Sequence, residues 1–230
     1  MYTSFCSMLN MKKVPSAGIE KGGTEQFPLG LGITATRYIE PFVGCGKVFY
    51  SVMSGYRMDS AVICDENPEI LNFYRQLKSH PDELIELYLK YEDGLDDRDY
   101  EERQSYIRSC LRRSDFSYSN TEEGRLLKKA AIFCFAKNYH YLLENKVVAG
   151  IITLSGGTLA PKFYGSEPMV ALSKILQRTT ILDGNFTECL NYVNSEAIIR
   201  IAPPKNHDYP EKVNSFLSIA KGLGARVIYH

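Results

Sequence analysis

Four short stretches of this 230-residue chain hold residues whose types and spacing suit chemistry. Pro41–Gly46 (PFVGCG) is a glycine-rich turn after an apolar run, and Asp65 closes a second run, SAVICD (60–65). Asp183–Phe186 (DGNF) closes a third, and Ala202–Asn206 (APPKN) follows a fourth, where AIIRI runs into two prolines. A glycine turn lets backbone approach a ligand closely. An acid at the end of the next strand, about 20 positions on, can accept both hydroxyls of a ribose. Gly46 and Asp65 have that spacing. GCGKVF lacks the third glycine of a dinucleotide fingerprint, which favours a nucleoside without a pyrophosphate over NAD. On these residues alone, a tight turn beside an N-capping aspartate is an equal reading.

Such loops need strands that end side by side, because ligands of open α/β sheets bind outside the carboxyl ends of the strands. RYIEPF (37–42), SAVICD (60–65), TTILDGN (179–185), AIIRIA (197–202) and ARVIYH (225–230) read as strands. Helices fall between them at KVFYSVM, ENPEILNFYRQLKSH, SHPDELIELYLKY, FTECLNYV and DYPEKVNSFLSIAKGLG, with Asn67 as an N-cap and Pro68 at the first helical position. Residues 1–36 read as irregular. Residues 92–165 differ in character. A charge-dense stretch, too sparse in apolar residues for a deep core helix, precedes a long helix with acids in its first turn. VVAGIITLSGGTLAPKFYG then alternates around Gly156-Gly157 as a hairpin would. The fold class is therefore α/β, an open and mostly parallel sheet with helices on both faces. Its core spans 1–91 and 166–230, with a helical and hairpin insertion at 92–165.

Composition narrows the function. Lys plus Arg equal Asp plus Glu at 27 each, so no global field draws nucleic acid and any DNA contact must use a local basic face. The six cysteines show no CxxC pair, which argues against zinc and a disulfide framework and suits a reducing cytoplasm. No metal site is expected: the four histidines lack a Cys or Asp at metal spacing. No apolar run approaches the roughly 18 residues of a membrane span. His80 reads as a structural helix-start residue, and His207 and the pairs Lys12-Lys13 and Arg112-Arg113 as solvated. Tyr139 and Tyr141 read as core.

YIEPFVGCGKVF followed by ICDENPEILNFYRQLKSHPDELI resembles the start of a Dam-type, D12 class DNA adenine-N6 methyltransferase, with its EPFxGxG and D-x-N-P-x-L/I motifs. The order of parts agrees over nearly the whole chain. The resemblance implies a Rossmann-like methyltransferase fold, S-adenosylmethionine (SAM) as cofactor, double-stranded DNA as partner, and target recognition by the 92–165 insertion. By matching position, Glu40, Pro41, Phe42, Gly44 and Gly46 line the cofactor pocket, Asp65 takes the ribose, and Gly23 belongs to an N-terminal GG element. Asn185 and Phe186 meet the cofactor adenine.

The same resemblance makes the Pro-Pro loop the catalytic position, and there the chain departs from it. The family's D-P-P-Y accepts hydrogen bonds from the target amine through its acid and a proline carbonyl, and stacks its tyrosine on the flipped base. Here Ala202, Pro203, Pro204 and Lys205 stand in its place. Ala202 offers no acceptor, and Lys205 offers at most cation–π attraction. Loss of such a polar group costs on the order of 10²–10⁴ in rate, and loss of the stack about 1–3 kcal/mol. Thr24 replaces a lysine of the GG element, Asn185 an aspartate, and Leu142 and Leu143 an Asn and a Gly. The family continues past the strand RVIYH, so an open sheet edge there invites a partner or self-association. The expectation is a Dam-like, cytoplasmic family member that binds SAM and DNA and is catalytically impaired, a pseudoenzyme. An active adenine-N6 methyltransferase using the Pro203 carbonyl is the alternative, and a nucleotide-binding oxidoreductase the third reading.

Overall fold

Alternate residues of a strand face opposite sides of its sheet, and that rule organises the computed structural model. The structure describes residues 35–44, 46–112, 121–139, 148–149, 152–153, 167–203 and 210–229. These fall into two compact units: one from Asn67 to Gln177, the other from the residues up to Glu66 and from Arg178 onward.

The second unit is the parallel sheet. Its strands are β1 (Arg37–Glu40), β2 (Ser60–Asp65), β5 (Thr179–Asp183), β6 (Ala197–Ile201) and β7 (Arg226–Tyr229), in the order β5-β2-β1-β6-β7. Every pairing is parallel. One face carries Ile39, Val62, Cys64, Ile199 and Ile201 into a buried cluster with Phe186 and Cys189 of a 3-10 helix (Phe186–Tyr192) and Val213, Phe216 and Ala220 of helix α7 (Pro210–Gly222). The other face carries Tyr38, Ala61, Ile63 and Ile198, all buried. Helix α1 (Lys47–Gly55) covers part of it, with Phe49 stacked on Tyr38 at 6.5 Å. Each fully buried side chain of this size contributes about 1.5–3 kcal/mol. Arg178 closes the last turn of α1 by donating to the carbonyls of Met53 and Met58, a cation where the helix dipole favours one. The α/β class with helices on both sheet faces holds.

The first unit is helical. It contains α2 (Pro68–Ser79), α3 (Pro81–Asp93), α4 (Tyr100–Arg112), α5 (Glu122–Tyr139), the short strands β3 (Val148–Ala149) and β4 (Ile152–Thr153), and α6 (Glu167–Leu176). Asn67 caps α2, its Oδ1 accepting from the Glu69 amide at 2.9 Å, as the sequence predicts. Every residue of α5 from Ala130 to Ala136 is buried, so this helix is the unit's centre. Tyr88 and Asn138 join α3 to α5 through a 2.6 Å hydrogen bond.

Three elements differ from the sequence reading. FTECLNYV is a 3-10 rather than an α-helix. The charge-dense α4 does reach a core, because Ile107, Cys110 and Leu111 make a buried stripe at i, i+3, i+4. Helix α6 is a further element, formed where MVALSKIL carries helical periodicity. β3 and β4 pair antiparallel, Val148 with Thr153 and Ala149 with Ile152; the expected turn at Gly156-Gly157 lies outside the described residues.

Candidate functional site

The carboxyl ends of β1, β2, β5 and β6 bring together most of the residues singled out in the sequence. β1 ends on Glu40, which is 1% exposed. Its Oε1 accepts from Arg200 Nη1 at 2.8 Å and its Oε2 from Tyr38 Oη at 2.8 Å. A charge this deeply buried is tolerable only when paired and hydrogen-bonded. Burial pushes the Glu40 carboxyl up to about 7, and the nearby Asp65 charge adds to this, against the opposing pull of Arg200 and Tyr38. Burial likewise raises the Tyr38 hydroxyl well above its ordinary value. Arg200 lies one residue beyond the Ile39–Ile199 pair of β1 and β6 and two residues before Ala202. The pair therefore fastens the strand that leads to the glycine turn to the strand that leads to the Pro-Pro loop.

The glycine turn follows at once. Pro41, Phe42 and Val43 are buried, and the Val43 amide donates to the Cys64 carbonyl at 2.9 Å. Gly44 has φ +51° and Gly46 φ +68°, the left-handed region where a side chain is strained. The Gly44 amide donates to Asp65 Oδ2 at 2.7 Å. Asp65 thus clasps the turn from the end of β2, which is how the two sequence motifs meet. A Cβ built on Gly44 would have no atom within 4 Å. That side of the backbone is open, as a turn that cradles a ligand requires. Gly46 is the N-cap of α1, and its own amide donates to the Val43 carbonyl at 2.8 Å.

On β5 the register sets Asp183 opposite Asp65. Asn185, exposed at the mouth of the 3-10 helix, accepts from the Thr187 amide at 3.1 Å and from Thr187 Oγ1 at 2.7 Å, both on Oδ1. The amide group of Asn185 is its other face, a donor. Phe186 is 3% exposed and packs on Phe42 at 5.0 Å and Phe216 at 5.8 Å between ring centroids. It ties the turn after β1 to the turn after β5. Ala202 and Pro203 are half-buried just past β6.

Gly23, Pro204 and Lys205 lie outside the described residues, as do Thr24, Tyr141, Leu142, Leu143 and His207. Within the helical unit, His80 Nε2 lies 2.7 Å from Glu123 Oε1 and Tyr139 is buried. Sequence reasoning passed over Arg200 and Tyr38. A lone arginine in the apolar run AIIRI was the available signal, since a charge inside such a strand demands a partner. Among the described residues no group of three or more His, Cys, Asp or Glu side chains could hold a metal ion. None of the described helices is long and apolar enough to cross a membrane.

The donor set fits an adenosyl-amino acid cofactor: an acid at the second strand, an open glycine turn before a helix, and a polar cap beside an aromatic ring. Comparison with known proteins gives the family. The family model of D12 class N6 adenine-specific DNA methyltransferases matches residues 24–215. The Type II methyltransferase M.MjaIII of Methanocaldococcus jannaschii is 28% identical over 187 residues, 80% of this chain and 63% of its own length. The DNA N-6-adenine-methyltransferase of Escherichia phage P1 is 24% identical over 210 residues, 84% of this chain and 26% of its own. A DNA adenine methylase of Vibrio cholerae is 19% identical over 175 residues, 74% and 56% respectively. The chain spans less than two-thirds of the length of each of these relatives. With the family model covering most of its residues, the chain belongs to the D12 class of N6 adenine-specific DNA methyltransferases.

Proposed function

We propose that this chain binds SAM at the carboxyl ends of β1, β2 and β5, engages double-stranded DNA in the cytoplasm, and is impaired in methyl transfer. The observation that carries the cofactor reading is the clasp between Asp65 and Gly44 at 2.7 Å, which sets an acid and an open glycine turn against each other. Asp65 would accept the ribose hydroxyls. The turn 41–46 would hold the methionine part, with Glu40 bracing the turn from beneath through Arg200 and Tyr38. Asn185 would donate to the adenine edge while its oxygen caps the 3-10 helix, and Phe186 would support the ring. Gly23 is assigned to the same pocket from its place in the family motif.

The cofactor, when bound, supplies an electrophilic methyl group; the chain's own task is to hold a flipped adenine and polarise its amine. Ala202 has no acceptor for that amine and Lys205 no ring to stack on the base. The Pro203 carbonyl is the remaining acceptor of the motif. Residues 92–165 are assigned target recognition, and the β7 edge of the sheet is assigned to a partner or a second copy. Calorimetric titration tests the cofactor part. SAM binds the wild-type chain, and Asp65→Ala weakens binding at least tenfold while the protein still unfolds cooperatively. Undiminished SAM binding by a folded Asp65→Ala variant would refute the assignment.

A further inference from the structure

Asn185 is exposed in the turn after β5. Its Oδ1 accepts from the Thr187 amide at 3.1 Å and from Thr187 Oγ1 at 2.7 Å. A backbone N–H can only donate, so the atom that meets it is the oxygen, and the orientation of the side-chain amide is fixed. Two donors fill both acceptor positions of that oxygen. The remaining polar group of Asn185 is its Nδ2 amino group, a donor with no hydrogen-bond partner among the described residues. Phe186, the next residue, packs on Phe42, so the turn that presents this donor is tied to the glycine turn clasped by Asp65.

We propose that Asn185 makes the base subsite of the cofactor pocket a reader of hydrogen-bond acceptors, so that the chain takes a 6-oxopurine nucleoside at least as tightly as the adenine one. The proposal rests on the cofactor reading above, in which Asn185 meets the edge of the purine. At C6 adenine carries an amino group, a donor, whereas a 6-oxopurine carries a carbonyl, an acceptor. The Asn185 amino group pairs with the carbonyl directly. Against the adenine amino group it sets donor to donor, and the base must shift to offer a ring nitrogen. Its amino group then has no acceptor from this residue. A polar group left unpaired on binding costs more than a good pair contributes, and specificity is the difference between the two complexes. A carboxylate at position 185 reverses the sign. One oxygen keeps the cap, since Asp and Asn cap equally well; the other accepts from an amino group and repels a carbonyl. The polarity of one outward atom sets the base preference.

The test is calorimetric titration of the wild-type chain and of Asn185→Asp with two probes, S-adenosylhomocysteine and S-inosylhomocysteine. The probes differ only at C6 and in the N1 proton that accompanies the carbonyl. The wild type is expected to bind the inosyl compound at least as tightly as the adenosyl one. Asn185→Asp is expected to favour the adenosyl compound by about tenfold or more, with the melting temperature of the wild type because the cap is kept. A wild type that prefers the adenosyl compound overturns the proposal and leaves the cofactor reading standing. A ratio in Asn185→Asp equal to that of the wild type overturns it as well. Binding of neither compound by the folded wild-type chain overturns the cofactor reading and this proposal together. The wild-type ratio is decisive by itself, whether or not the variant folds.

Discussion

Glu40 is where burial and charge meet most sharply, and its titration should be visible in the stability of the whole sheet unit. Its carboxyl stands at about 7 in the folded chain against an ordinary 4.5, so the folded state holds the proton more tightly than the unfolded one. By linkage, the stability that this group contributes is complete below about 4.5 and is lost as the pH rises through about 7. At about 1.4 kcal/mol for each pH unit the effect is on the order of 3 kcal/mol. Urea unfolding from pH 4.5 to 8 should show that decline in the wild type, and Glu40→Gln should flatten it. A wild-type curve flat across the window would show that Arg200 and Tyr38 hold the carboxylate ionised throughout. Gly44 gives a second residue-scale prediction. A methyl there has open space but a forbidding φ of +51°, so Gly44→Ala should cost about 1–2 kcal/mol, read as a lower melting temperature. The types of both residues stood in the sequence. Their partners did not, because the pairing of Glu40 with Arg200 depends on the register of β1 against β6, and periodicity carries no register between distant strands.

At the scale of elements, α4 shows how a polar helix earns its place in a core. Ile107, Cys110 and Leu111 are 0%, 5% and 3% exposed, while five of the other residues of the helix, Glu101, Glu102, Arg103, Arg108 and Arg112, are charged. Ile107→Ala should therefore destabilise the protein by about 2–4 kcal/mol, measured by urea denaturation. A loss under about 0.5 kcal/mol would place that stripe at a surface. The sequence spoke clearly for β2, whose bounds at Ser60 and Asp65 coincide with the apolar run, and for α2, where Asn67 and Pro68 are both start signals. It spoke poorly for FTECLNYV. There the N-cap at Asn185 was the same in either helix type, and the spacing of the buried Phe186 and Cys189, three residues apart, fits one face of a 3-10 helix and of an α-helix alike. The proposed cofactor site was legible as two motifs and not as one object. That Asp65 accepts the Gly44 amide is a tertiary fact, and it brings two separate sequence signals to one place.

For the whole molecule, what matters is which functions survive when parts of a family pattern are kept and others replaced. In the function proposed above, the sheet, the Asp65 clasp and the aromatic tie between Phe42 and Phe186 frame the cofactor, while Ala202 and Lys205 stand where target-base chemistry would be done. The association proposed at β7 rests on its place as the outer strand of the described sheet and on the exposure of Ile219, Leu223 and Tyr229 at 50%, 47% and 59%, since an edge strand is a template for another chain. Sedimentation should show concentration-dependent association that Ile219→Glu with Leu223→Glu abolishes at unchanged melting temperature; a wild type monomeric at every concentration would remove that surface from consideration. The most direct test of the central claim is transfer of a labelled methyl group from SAM to unmethylated duplex DNA, run beside a SAM titration of the same preparation. Clear SAM binding with no transfer above background is expected of the wild type, and transfer at least a hundredfold above that background of Ala202→Asp with Lys205→Tyr. Sustained methylation of adenine by the wild-type chain, equal to that of the double variant, would contradict that claim.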